Sequence, residues 1–358
     1  MNTVMAFAGV VAGILLAEAG LRLVAPQIPG EMVRRPHPPG MYVSHPVLGH
    51  RLAPGFEGRF ERSEEGISMD LQVNSLGIRG PEPRTQSPGG KRVLLLGDSF
   101  TFGWGLPFEE SYGARLETIL ARDLGRPVDV IPMGTPGYDT ETELSWLREI
   151  GWSLDPDLVV LQFCVSNDFS DNLLPNFEVR DGFLHRPNRK SATDGAHDAP
   201  SGLADWLGCK SHLYVFISSR YRSLGKGRGA DFKIHQARRA NREYAVSYDR
   251  TAAILGDFAA EAAGHGVPLA VFNAPVKYQV ADSGAVPQDL LLEANGKIRD
   301  ACDRLGVPFI DATADFQREG TGLFLEKDAH WSAAGHARAA EILARKLLPL
   351  LTEEGAGS

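Results

Sequence analysis

Four separated stretches hold residue types that can cooperate in nucleophilic chemistry. Gly97-Asp98-Ser99-Phe100 follows the apolar run Arg92-Val93-Leu94-Leu95-Leu96. At the C-terminal end of a buried strand, a serine presents its hydroxyl to the crevice where open parallel sheets bind ligands. That hydroxyl is a weak nucleophile until a base takes its proton. The candidate base is His330, in Lys327-Asp328-Ala329-His330-Trp331-Ser332. Asp328, two residues upstream, can hold the ring's tautomer and stabilise the imidazolium. Negative charge developing on a substrate oxygen then needs donors. The Ser99 N–H, the backbone of Gly134 in Met133-Gly134-Thr135-Pro136-Gly137-Tyr138, and the Asn167 amide in Ser166-Asn167-Asp168 can supply them. Each stretch also has a bland reading: Ser99 as a helix cap, Asp328 as a turn cap, Gly134 and Asn167 as ordinary turn residues. His336 falls inside a helical pattern and reads as structural.

The elements that must position these residues follow from periodicity. Lys91 opens an alternation of short apolar runs with helical stretches. Strands are expected at Arg92–Leu96, Val128–Met133, Leu158–Cys164, Leu269–Asn273 and Phe309-Ile310. Helices are expected at Glu109–Leu124, Glu141–Gly151, Tyr244–Gly264, Gln288–Leu305 and Ala334–Leu350. Such alternation implies an α/β fold with a mostly parallel sheet covered on both faces. The four stretches then follow or border elements that end on one sheet edge. Upstream, residues 24–60 are rich in Pro and Gly and read as a tether into a loop-rich lead-in, and Ser68–Asn74 alternates like a strand. No internal repeat is present.

In chain order, Ser99, Gly134, Asn167 and the Asp328/His330 pair resemble the four blocks of the SGNH (GDSL-type) hydrolase superfamily. The resemblance covers roughly residues 91–350, minus an insertion at 174–240. It implies a three-layer α/β/α flavodoxin-like fold and ester hydrolysis or acyl transfer without a cofactor or metal. It also implies an oxyanion hole made by Ser99, Gly134 and Asn167. The chain departs from the family pattern twice. Val165 stands where G-x-N-D has glycine, so the loop before Asn167 must turn differently. One residue rather than two separates Asp328 from His330. The resulting D-x-H-W-S form is similar to that of alginate-type polysaccharide O-acetyltransferases. Asp168 reads as structural, holding the Asn167 loop. Asn74–Gly80 resembles the N-S-x-G-x-R-G lead-in of membrane-anchored bacterial members, with Arg79 the one candidate substrate contact.

The first segment is a membrane signal. Met1–Ala17 carries no charged side chain. Continuing the apolar stretch through Leu23 gives enough length to cross a bilayer, with Glu18 and Arg22 as i,i+4 neighbours near one face. An uncleaved single-pass anchor is the leading reading. A signal peptide cleaved near Ala17-Glu18-Ala19 and a buried soluble helix are the alternatives. Arg22, Arg34 and Arg35 follow the run and none precedes it, which by charge alone places the downstream domain in the cytoplasm. Envelope ester chemistry and an N-terminal signal argue instead for export from a bacterial cytoplasmic membrane to the periplasmic or extracellular side.

Composition bounds the rest. The 358 residues are 43% hydrophobic and 23% charged, which excludes global disorder. Thirty-seven basic against 45 acidic residues give a net charge of −8, which excludes a generic nucleic-acid binder. Three cysteines make no disulfide scaffold. Cys164 reads as core, and Cys209 and Cys302 are free to pair. From Lys210 to Arg242 nine basic residues face only Asp231 before Arg242: either a solvated face or a contact with lipid headgroups or an anionic polymer.

The expected organisation is therefore an anchor or signal (1–25), a loop-rich lead-in with short strands (26–90), a hydrolase domain (91–352) with the insertion, and a tail (353–358). The expected function is a serine acyl-ester hydrolase acting on a cell-envelope carbohydrate or lipid-linked ester. O-acetyl transfer by the same residues is the alternative, and a non-enzymatic glycan-binding module the second. Oligomeric state is left open.

Overall fold

A computed structural model describes residues 2–24, 37–62, 67–180 apart from 166 and 175, 183–185, 203–217, 230–281, and 288–352 apart from 327. The tail at 353–358, the polar stretch Arg186–Ser201 and the basic residues from Arg220 to Arg228 lie outside the described residues. The chain divides into two compact units. One joins Met1–Pro38 with His185–Asn241; the other joins Pro39–Leu184 with Arg242–Ser358. In the first, α1 spans Asn2–Val24.

The second unit opens with two antiparallel hairpins: β1 (Tyr42–His45) with β2 (Gly49–Leu52), and β3 (Glu57–Arg62) with β4 (Ile67–Gln72). Strand β4 buries every other residue, Ile67, Met69 and Leu71, as a strand with one dry face must. These side chains join Met41, Tyr42, Leu52 and Phe60 around Phe102 and Trp104 in a hydrophobic cluster of their own. Where Pro and Gly content suggested a tether, residues 42–62 thus form three strands. The glycines serve the turns, as at Gly49, whose φ is 73°.

The main sheet is built from β5 (Lys91–Gly97), β6 (Val128–Gly134) and β7 (Leu158–Phe163). After a short pair, β8 (Glu178–Arg180) and β9 (Phe183–His185), it is completed by β10 (Leu269–Asn273) and β11 (Phe309–Asp311). All five strands are parallel, in the order β11-β10-β7-β5-β6. Relabelled by chain order this is 2-1-3-4-5, the doubly wound flavodoxin-like arrangement, and the order reverses between β5 and β7. Every residue of β7 and β10 is buried, so both faces of the sheet are covered.

The crossover helices are α2 (Ser99–Phe102), α3 (Tyr112–Leu124), α4 (Thr140–Trp146), which widens into a π turn at Leu147–Gly151, and α5 (Asp168–Asp171). Helix α6 (Leu203–Lys210) belongs to the first unit. Next come α7 (Ala230–Gly264), α8 (Lys277–Val280), α9 (Gln288–Leu305), α10 (Thr313–Glu319) and α11 (Ala333–Thr352). Helix α3 illustrates the local logic. Ser111 Oγ accepts from Ala114 N, Tyr112, Leu116 and Leu120 recur at i, i+4 and i+8 on the buried side, and Gly125 (φ 62°) ends it. Helix α7 begins fourteen residues before the expected Tyr244, because 230–243 contains neither Gly nor Pro to stop it. Cys302 is buried outside any disulfide, and burial pushes its thiol up to about 12.

Candidate active site

Gly97, the last residue of β5, lies opposite Gly134, the last of β6. No larger residue fits at 97: a Cβ there would sit 2.1 Å from Thr101 Oγ1 and 2.4 Å from Gln162 Oε1. The chain therefore turns directly from strand into α2, with Asp98 as its cap. Asp98 Oδ1 accepts from Phe100 N at 2.9 Å, and Asp98 Oδ2 accepts from Asn167 Nδ2 at 3.0 Å. Ser99 is the first residue of α2, so its N–H has no acceptor within the helix.

Ser99 Oγ lies 2.7 Å from His330 Nε2, 231 positions further along the chain. On the other side of the ring, His330 Nδ1 is 2.5 Å from Asp328 Oδ1, which also accepts from the His330 backbone N–H at 2.8 Å. A carboxylate only accepts, so Nδ1 carries the hydrogen and the Nε2 lone pair faces the serine hydroxyl. The single spacer between Asp328 and His330 is thus compatible with a direct contact: the carboxylate curls back over its own loop. Phe100 and Trp104 flank the imidazole, their ring centroids 5.0 and 6.0 Å away, and Trp104 in turn packs on Phe60 of β3 at 4.8 Å. The lead-in hairpin thereby supports the histidine.

The histidine loop is pinned at several points. Leu325 N donates to His330 O, and Ser332 N donates to Leu323 O. Lys277 Nζ, at the start of α8, donates to the carbonyls of Leu325 (2.7 Å), Glu326 (2.8 Å) and Asp328 (3.4 Å). The W and S of D-x-H-W-S are structural. Trp331 is fully buried with its indole N–H on Pro275 O at 2.8 Å, and Ser332 O accepts the His336 N–H at the start of α11. His336 is structural too. It is fully buried, its Nδ1 accepts from Tyr112 N at 3.1 Å, and burial pushes it down to about 3, so it stays neutral.

Asn167 is held by its neighbour. Asp168 is fully buried and its Oδ2 accepts from Cys164 N at 2.6 Å, which closes the loop that carries Val165 in place of glycine. Burial holds the carboxyls of Asp168 and Glu143 well above the usual range, and Asp98 adds repulsion at both. Gly134 is buried under α2: a Cβ on it would lie 2.3 Å from Phe102 N. The close approach this glycine permits is to the helix backbone. Gly137, three residues on, is half-buried with φ 87° in the same turn.

Arg79 does not line the crevice. It is 2% exposed, and its guanidinium donates to the carbonyls of Phe102 (2.7 Å), Gly103 (2.9 Å) and Leu106 (2.6 Å). Those carbonyls lie at the C-terminal end of α2 and just beyond it, so the arginine caps that helix. Burial pushes the guanidinium down to about 10, which leaves it charged at neutral pH.

Three further residues near the site carry no expected role. Asp98 was legible as the middle of Gly-Asp-Ser. Gln162 was legible as a polar residue inside an otherwise apolar strand; its Oε1 accepts from Asp98 N and Thr101 Oγ1. Lys277 had no local signal. Among the described residues no cluster of His, Cys, Asp and Glu is arranged to hold a metal ion.

The family model for GDSL-like lipases and acylhydrolases matches residues 95–338. That span begins one strand-end before Ser99 and runs past His330. The chain belongs to the GDSL-like lipase/acylhydrolase family. As a member it is an ester-hydrolysing enzyme. No curated protein matches it in sequence. Among solved structures, TesA is similar at 16% identity, covering 73% of this chain and 99% of its own, with a TM-score of 0.42. Axe2, an acetylxylan esterase from Geobacillus stearothermophilus, is similar at 14% identity, covering 75% and 97%, with a TM-score of 0.43. A lipase/acylhydrolase from Enterococcus faecalis is similar at 13% identity, covering 72% and 96%, with a TM-score of 0.41.

Proposed function

We propose that the protein is a membrane-anchored serine esterase that removes acyl groups, acetyl foremost, from a cell-envelope carbohydrate or lipid-linked ester. The observation that carries the catalytic part is the 2.7 Å approach of Ser99 Oγ to His330 Nε2. Ser99 attacks the ester carbonyl while His330 takes its proton, and Asp328 stabilises the imidazolium that forms. The Ser99 N–H, the Asn167 amide and a backbone N–H of the Gly134–Gly137 turn receive the negative charge on the carbonyl oxygen. Asn167 Nδ2 has two hydrogens, so its bond to Asp98 leaves one for this purpose. Collapse expels the alcohol, which takes the proton back from His330 and leaves an acyl-serine. Water, deprotonated by the same histidine, then releases the acid. A sugar hydroxyl in place of water would make the enzyme an acyltransferase.

The envelope assignment leans on α1. Met5–Val24 is apolar and long enough to cross a bilayer, with none of its residues buried in the protein. We read it as retained, with the catalytic unit on the periplasmic or extracellular side. The test is Ser99→Ala. Turnover of a chromogenic acetyl ester and covalent labelling by a fluorophosphonate probe should both disappear while the fold is kept. Unchanged turnover rejects Ser99 as nucleophile. Absence of labelling in the folded wild-type chain would favour the binding-module reading.

A further inference from the structure

An ionised residue within an apolar span demands a partner. Glu18 lies six residues before Val24, so it sits about 9 Å in from that end of the span at 1.5 Å per residue. Its partners are on the insertion, in the same compact unit. Glu18 accepts from Ser211 Oγ (2.9 Å), His212 N (3.0 Å) and Leu213 N (2.9 Å), and from Arg22 Nε at 2.8 Å. Arg22 also donates to Lys210 O, the last carbonyl of α6, at 2.9 Å. The i,i+4 pair is therefore a clamp. It holds the corner between α6 and the helical turns at 212–217 against the end of α1.

That corner carries apolar side chains turned away from the protein. Leu203 is 73% exposed, Trp206 49% and Ile217 56%. Leu203, Trp206 and Leu207 stand at i, i+3 and i+4, which places them on one face of α6. The exposed apolar side chains of α1, Leu15, Leu16, Leu23 and Val24 among them, occupy the same unit. An indole at the depth where a span leaves the hydrocarbon is a typical interfacial anchor. We propose that residues 203–217 form a second membrane contact: an interfacial helical corner, seated on α1 through Glu18 and Arg22, that inserts Leu203, Trp206 and Ile217 into the leaflet α1 enters. The inference rests on α1 being a retained span. It is independent of the esterase chemistry. Its consequence is that the insertion follows the lipid surface and turns a single tether into a two-point attachment.

The full-length chain in phosphatidylcholine–phosphatidylglycerol vesicles tests this, with brominated acyl chains as the tryptophan quencher. Wild-type fluorescence should fall in brominated vesicles relative to unbrominated ones. Trp206→Phe should remove most of that quenching, because Trp104, Trp146 and Trp331 are buried and Trp152 is stacked on His265 in the other unit. Ester hydrolysis by Trp206→Phe should match wild type, showing that it is folded. In Glu18→Ala, the quenching should drop at least twofold while the chain resists carbonate extraction. Equal quenching in wild type and Trp206→Phe overturns the proposal. So does a Trp206 shielded from both brominated lipid and aqueous acrylamide, which would assign the face to a protein contact. A chain released by carbonate would refute the α1 reading and the proposal with it, whereas the fluorophosphonate result bears on the esterase reading alone.

Discussion

Asp328→Asn and Asp328→Ala should differ in a way the geometry specifies. Both contacts to His330, from its backbone N–H at 2.8 Å and from Nδ1 at 2.5 Å, fall on the same oxygen, Oδ1. An asparagine can keep its carbonyl oxygen at that position and still accept both hydrogens. The imidazole tautomer then survives, and what is lost is the charge. Hydrogen bonds to charged groups contribute roughly 1.5–3 kcal/mol against about 1 for neutral ones, so the difference is about 0.5–2 kcal/mol. At about 1.36 kcal/mol per tenfold, Asp328→Asn should lower kcat roughly 2- to 30-fold. Asp328→Ala removes the acceptor as well. Nothing then fixes which ring nitrogen faces Ser99, and the loss should approach the ~10⁴-fold that asparagine costs in a serine triad where its amide imposes the wrong tautomer, the outcome that the shared Oδ1 contact avoids here. Steady-state hydrolysis of a chromogenic acetyl ester measures both, with a fluorophosphonate titration correcting for active enzyme. A near-wild-type Asp328→Ala would refute the reasoning and move the role to another carboxylate. Equal losses in the two variants would refute the single-oxygen argument.

Lys277→Met removes the cation that ties three carbonyls of the histidine loop. Since displacement of a catalytic group by ~1 Å can cost about 10²-fold, kcat should fall 10- to 100-fold with KM little changed, and Lys277→Arg should restore part of it. Arg79→Ala strips the guanidinium from three buried carbonyls behind α2, of which Gly103 O keeps the Leu106 N–H, and should destabilise the domain by roughly 2–4 kcal/mol in urea denaturation; a loss below ~1 kcal/mol would show that water replaces the guanidinium. His336 shapes the acid limb of stability. Its folded value of about 3 lies below the unfolded 6.5, so the unfolded chain binds the extra proton and stability falls as pH drops through 6.5 toward 3. The full effect is roughly 5 kcal/mol at ~1.36 per pH unit, and His336→Asn should flatten the midpoint-against-pH curve between pH 6.5 and 4.

Most of the α/β architecture was readable along the chain. Strands β5, β6, β7, β10 and β11 are apolar runs because a parallel sheet is buried on both faces, and periodicity changes at each crossover helix. Ser99 and His330 were also readable, since their neighbours form recognisable short motifs. Other features depend on through-space partners that local spacing does not encode. Arg79 looked like a ligand contact, yet its position under α2 makes it a buried cap. The space left by the missing side chain of Gly134 is taken by the backbone of α2 at Phe102. Lys277 and the Glu18 clamp join positions 48 and more apart. Composition and periodicity constrain which face of an element is dry. Which carbonyl or carboxylate a buried charge meets is settled only when the elements close on one another, because the cost of desolvating that charge is met by whatever acceptors the packing brings within reach.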